Sequence, residues 1–82
     1  MREFKKGDWV IWVDRQTMSL YKKIAKIIYI EKEGLYLLEF KKNIRSHHDG
    51  GGRGKYNHCK WGRNHKIKLD IDHLKFKKWI KG

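Results

Sequence analysis

The stretch Tyr21–Phe40, "YKKIAKIIYIEKEGLYLLEF", decides the fold. From Ile24 to Ile30 it is dense in β-branched side chains, which suit a pleated surface better than a helix. Tyr36, Leu38 and Phe40 then alternate, which puts three apolar side chains on one face of a strand. Glu33-Gly34 lies between the two runs, and a glycine there suits the positive φ of a tight hairpin turn. A helix over Tyr21–Glu31 competes, because Ile24, Ile27 and Ile28 also share helical spacing. The β-branched density and the turn favour two antiparallel strands.

Before this pair, "GDWVIWVD" reads as a Gly-Asp turn and a short strand, Trp9–Val13. Trp9 and Trp12 are three apart, so on a strand they point to opposite faces, one into the core and one outside. The segment "DRQTMSL" breaks the pattern and reads as a loop. After the pair, Lys41–His65 has no sustained apolar period and is longer than a compact domain usually holds without a reason. "KIKLDID" alternates again, with Ile67, Leu69 and Ile71 on one face. Asp72-His73-Leu74 suggests one helical turn before a last strand, Lys75–Ile80. Trp79, among lysines, either caps an open end or lies on the surface, and His73 is a turn residue. The expected fold is all-β: a small SH3-like antiparallel barrel of about five strands, with one long Gly/His-rich basic loop at about 41–65. Residues 1–82 form a single domain, and closure of the barrel would remove exposed strand edges.

The chain has 82 residues and one cysteine, so no internal disulfide can form and the fold rests on packing or on a metal. No apolar run is long enough to span a bilayer, and the sequence reads as soluble and cytoplasmic. Lys and Arg number 21 against nine Asp and Glu, a net charge of +12. Between Lys41 and Lys68 there are nine basic residues and one acid, Asp49. Such a field attracts phosphate backbones or acidic protein surfaces, and its sign excludes mimicry of DNA. The lysines do not follow one face of an amphipathic helix, which argues against membrane binding.

Ser46–His65, "SHHDGGGRGKYNHCKWGRNH", holds four of the five histidines and the single cysteine. Zinc takes closely spaced His and Cys pairs separated by a longer loop. His48, His58, Cys59 and His65 are the candidate ligands, but no Cys-x-x-Cys or His-x-x-x-His pair occurs, and adjacent side chains in extended chain point apart. The alternative makes Cys59 a buried small hydrophobe and gives one or two histidines to loop backbone groups. Catalysis by Cys59 with a histidine, or by His48 with Asp49, lacks supporting sequence, and a hard cation would want more carboxylates. The glycines at 50–52 and 54, with Arg53 and Lys55, have the composition of an anion-binding nest. They are not a Walker loop, since Tyr56 follows Lys55.

Two stretches carry a resemblance. "FKKGDWVIWV" looks like the first strand of many small SH3-like barrels. "HHDGGGRGKYNHCKW" is similar to a motif of uncharacterised small bacteriophage proteins: His, Asp or Asn, a glycine cluster, then a His-Cys-Trp-like element. In that family a hydrophobic strand pair precedes the motif and a short end strand follows it, matched here by Ile24–Phe40 and "IDHLKF". Where the family often has two adjacent Trp after the Cys, Lys60 intervenes here before Trp61, and Gly62–Asp70 looks like an insertion. The resemblance implies an SH3-like fold and a phage origin, and no particular activity.

The expectation is therefore a nonenzymatic, phage-encoded barrel that binds nucleic acid through Lys41, Lys42, Arg45, Arg53, Lys55, Tyr56, Lys60, Arg63, Lys66 and Lys68. Lysine and arginine would hold the backbone while Tyr56 stacks on bases. The rival expectation is an inhibitor or modifier of a host protein such as a defence nuclease or polymerase. A third is a zinc-stabilised interaction module. Monomer and weak homodimer both fit, and no cofactor other than zinc is suggested.

Overall fold

The computed structural model describes residues 4–69. Ile71, the turn at 72–74, the strand at 75–80 and Trp79 lie outside them. Five strands are present: β1 Trp9–Trp12, β2 Ile24–Lys32, β3 Leu35–Phe40, β4 Cys59–Arg63 and β5 Ile67–Leu69. All neighbours pair antiparallel, in the order β4-β3-β2-β1-β5. No α-helix occurs among the described residues; a single 3-10 turn, Asn64–Lys66, links β4 to β5. No described helix is long and apolar enough to cross a membrane.

Tyr21–Phe40 forms the expected hairpin. Lys32 pairs with Leu35 across Glu33-Gly34, and Gly34 has φ 81°. The helix over Tyr21–Glu31 does not form. Two register shifts, Ile27/Tyr29 and Ile30/Lys32, interrupt the ladder. The first changes which face β2 presents: Ile27 pairs with core-facing Leu38, whereas Tyr29 pairs with Leu37 on the other face.

The inner face carries the main core: Phe4, Val10, Trp12, Leu20, Ala25, Ile27, Tyr36, Leu38, Phe40 and Ile67. Phe4 meets Tyr36 edge-on at 5.6 Å, and Trp12 tilts against Phe40 at 6.1 Å. Of the two tryptophans on β1, Trp12 is the core residue and Trp9 lies on the outer face.

Two expectations need correction. The long loop ends at His58, not His65, because Cys59–Arg63 is a strand. Its lysine, arginine and glycine hide it from pattern reading, and pairing with β3 holds it. Gly62 is required there: a Cβ would lie 2.8 Å from Leu38 Cδ1 and 3.2 Å from Trp12 Cζ3. The sheet is also not closed into a barrel, since no ladder joins β4 to β5 among the described residues. It is nevertheless strongly coiled. In a flat sheet β4 and β5 would stand four spacings, ~19 Å, apart. Only three residues in 3-10 conformation connect them, rising ~2 Å each.

Candidate nucleic-acid interface

The outer face divides into two halves. Over β2, β3 and β4 it is covered by the chain between Lys41 and His58, which folds back as a packed flap. Leu37 is fully buried yet outside the main core, because this flap covers it. A Cβ at Gly50 would collide with the Leu37 side chain. One at Gly54 would lie 2.6 Å from both Cys59 Sγ and Ile28 Cδ1. His48 and Tyr29 each meet the Trp61 ring edge-on, at 6.4 and 6.3 Å. The Arg53 guanidinium sits 4.0 Å from the Tyr29 ring centroid and donates to the Gly50 carbonyl at 3.0 Å. Ile27–Tyr29 is an uninterrupted apolar run, and there both faces of β2 meet protein.

Several of the flap's backbone amides are satisfied from within it. Ile44 N–H donates to the Asn57 carbonyl, Asn57 N–H to that of His48, and His58 N–H to that of Lys55. The glycine nest is filled from within. Asp49 Oδ1 accepts from the Gly51 and Gly52 amides at 3.0 and 3.1 Å, His48 Nδ1 accepts from Gly50, and Asp49 O accepts from Gly54. Lys55 N–H donates to Glu39 Oε2. An internal carboxylate thus occupies the position a phosphate would take in such a cradle.

The histidines and the cysteine have separate surroundings. His58, buried, donates from Nδ1 to the Phe40 carbonyl at 2.8 Å, while Phe40 N–H donates to the His58 carbonyl. Cys59 is buried under the flap, with Sγ 3.5 Å from the Lys55 carbonyl. His65 is exposed on the 3-10 turn. No three His, Cys, Asp or Glu side chains gather as a metal-binding set among the described residues. Burial first, then the Glu39 and Asp49 carboxylates, push the Cys59 thiol above its ordinary pKa, so it is held as the neutral thiol rather than as a reactive thiolate.

The other half of the outer face, over β5, β1 and β2, lies beside the flap. Cross-strand neighbours share a face. Lys68 pairs with Ile11, Ile11 with Ile24, and Trp9 with Lys26. The ammonium groups of Lys41 and Lys26 lie 4.8 and 5.8 Å from the Trp9 ring centroid. Lys6, Lys26 and Arg53 line an open cleft beside it, and Lys22, Lys23, Lys41 and Lys42 line another. The nearby carboxylates of Glu39 and Asp8 each accept a backbone N–H, from Lys55 and Lys5.

Only part of the sequence-predicted set comes together here: Lys41, Lys42, Arg53 and Lys68. Lys60 pairs with core-facing Leu38 and so belongs to the opposite face. Lys66 is 3.5 Å from Asp14 and leans on the Trp12 ring. Arg45, Lys55 and Tyr56 are exposed on the flap, where the Tyr56 hydroxyl meets His47 Nδ1 at 3.1 Å, and Arg63 is exposed at the end of β4. Sequence reasoning missed Lys6, Lys22, Lys23 and Lys26. They are scattered along the chain, and only the fold assembles them; the outward position of Trp9 was the one available signal.

No family model, curated protein or solved structure matches the chain.

Proposed function

We propose that this protein binds nucleic acid without catalysing a reaction, through the basic outer face of β5, β1 and β2. One observation carries this reading: Lys26 and Lys41 converge on Trp9, with Lys68, Lys6 and Arg53 on the same side of the sheet. Lysines around a partly apolar surface attract a phosphate backbone while leaving sequence choice weak. The flap acts as scaffold for this face, with Arg53 at its margin; Gly50 and Gly54 serve packing, and the Gly51 and Gly52 amides are engaged by Asp49 rather than by a phosphate. An SH3-like arrangement is supported by the strand order, in which β1 lies between β2 and β5 on a strongly coiled sheet. Phage origin and a place in the host cytoplasm belong to the same proposal and rest on the central motif alone. The test is affinity for labelled DNA and RNA across a salt series. Binding that is tight at low salt and falls steeply with added salt is expected; no binding at low salt overturns the proposal.

A further inference from the structure

β2 and β3 run antiparallel, so the chain entering β2 meets the chain leaving β3 at one end of the sheet. Ala25 pairs with Phe40, and Lys41 N–H donates to the Ile24 carbonyl at 3.1 Å. Each of these segments carries two consecutive lysines, and the four line one cleft with Ile24. Among the described residues no carboxylate lines it. The amides of Lys22 and Lys23 donate to the carbonyls of Trp12 and Leu20, so a ligand would be met by the lysine side chains rather than by a backbone nest. Lys22 also has φ 66°, a left-handed conformation that glycine adopts at no steric cost and lysine does not. Its ammonium lies 5.5 Å from the Tyr21 ring centroid, as that of Lys41 lies over Trp9.

Gathering four like charges and holding a lysine at positive φ both oppose stability. A bound anion offsets the repulsion and gives a lysine, rather than a glycine, a role at the strained position. We infer that the Lys22–Lys23/Lys41–Lys42 cleft seats a phosphate group, contributed by the backbone of a bound nucleic acid. A phosphate presents several charged oxygens to several point-charge donors at once. Lys41 belongs both to this cleft and to the face around Trp9, so one strand would run from the seat across that face. The source of the phosphate rests on the nucleic-acid reading; the seat itself does not.

The experiment uses the full chain and three probes. Inorganic pyrophosphate is titrated while backbone amide NMR shifts are followed. A single-stranded DNA oligonucleotide is titrated by fluorescence anisotropy against wild type, Lys22→Gly and the double variant Lys23→Gln/Lys42→Gln. Phosphatidylglycerol vesicles are the third probe. Saturable pyrophosphate shifts centred on residues 22–24 and 41–42 are expected. Lys22→Gly should bind the oligonucleotide more weakly, with a salt slope smaller by about 1, while melting no lower than wild type. A lysine with only a structural role there would show the reverse, lower melting with binding intact. Unchanged oligonucleotide affinity in both variants, or unsaturable shifts over the whole basic surface, overturns the seat. Saturation by pyrophosphate with no oligonucleotide binding supports the seat and overturns its nucleic-acid source. Vesicle binding in place of oligonucleotide binding reassigns the phosphate to lipid and also overturns that source.

Discussion

At the scale of single residues, Gly50 and Gly52 look interchangeable in "DGGGRG" and are not. Both have positive φ, 68° and 87°. A Cβ at Gly52 meets nothing within 4 Å, whereas one at Gly50 enters the Leu37 side chain. Gly52→Ala should therefore cost about 1 kcal/mol, from backbone strain alone. Gly50→Ala adds overpacking of a buried contact and should cost about 3 kcal/mol. Urea unfolding of the two variants measures the difference, and equal costs would mean that the flap does not rest on Leu37. Cys59 supplies a pH-dependent counterpart. Its thiol pKa is raised in the folded state, chiefly by burial. Stability from keeping the thiol neutral is complete below the unfolded-state pKa and is lost as pH rises through the folded one. Cys59→Ala lacks this titration, so its deficit relative to wild type should shrink as pH rises through the alkaline range. A deficit constant with pH would place the shift elsewhere.

Among the elements, the β2–β3 hairpin was readable from sequence because its signals are local: β-branched density, alternation and Gly34. β4 was not, because Cys59–Arg63 owes its extended form to pairing with β3 and to the flap above it. The flap was legible only as a glycine-rich basic loop, since the contacts that order it are between residues distant in sequence, such as Gly54 with Ile28 and Lys55 with Glu39. The face around Trp9 was equally hidden, because its lysines are contributed by four separate segments. The flap packs over a small second core, and its exchange behaviour is testable. The amides of Ile44, Asn57 and His58 donate to carbonyls inside the flap and should exchange slowly. Those of Gly51 and Gly52 donate to a side-chain carboxylate at an exposed turn and should exchange fast. Leu37→Ala removes the side chain on which the flap sits. It should cost about 2–4 kcal/mol and raise flap exchange rates more than those of β1. Uniform acceleration across the molecule would show that flap and sheet open together.

For the whole molecule, the question is whether binding comes from the +12 net charge or from one face. A diffuse field would attract any polyanion, and every lysine would contribute alike. Substituting any lysine by alanine changes the net charge by the same amount, so position alone distinguishes the two cases. Lys26 and Lys68 lie on the open outer face; Lys60 lies on the opposite face, and Lys66 is paired with Asp14. Removing one phosphate-binding lysine from the outer face should lower the slope of log K against log salt by about 1. Lys26→Ala and Lys68→Ala should each show that decrease, and Lys60→Ala should leave the slope within a few tenths of wild type. Lys66→Ala additionally leaves Asp14 without its partner, so melting curves must accompany its binding curves. Equal slopes for the Lys26, Lys60 and Lys68 variants would reject a localised interface and leave a protein that attracts nucleic acid only through its overall charge.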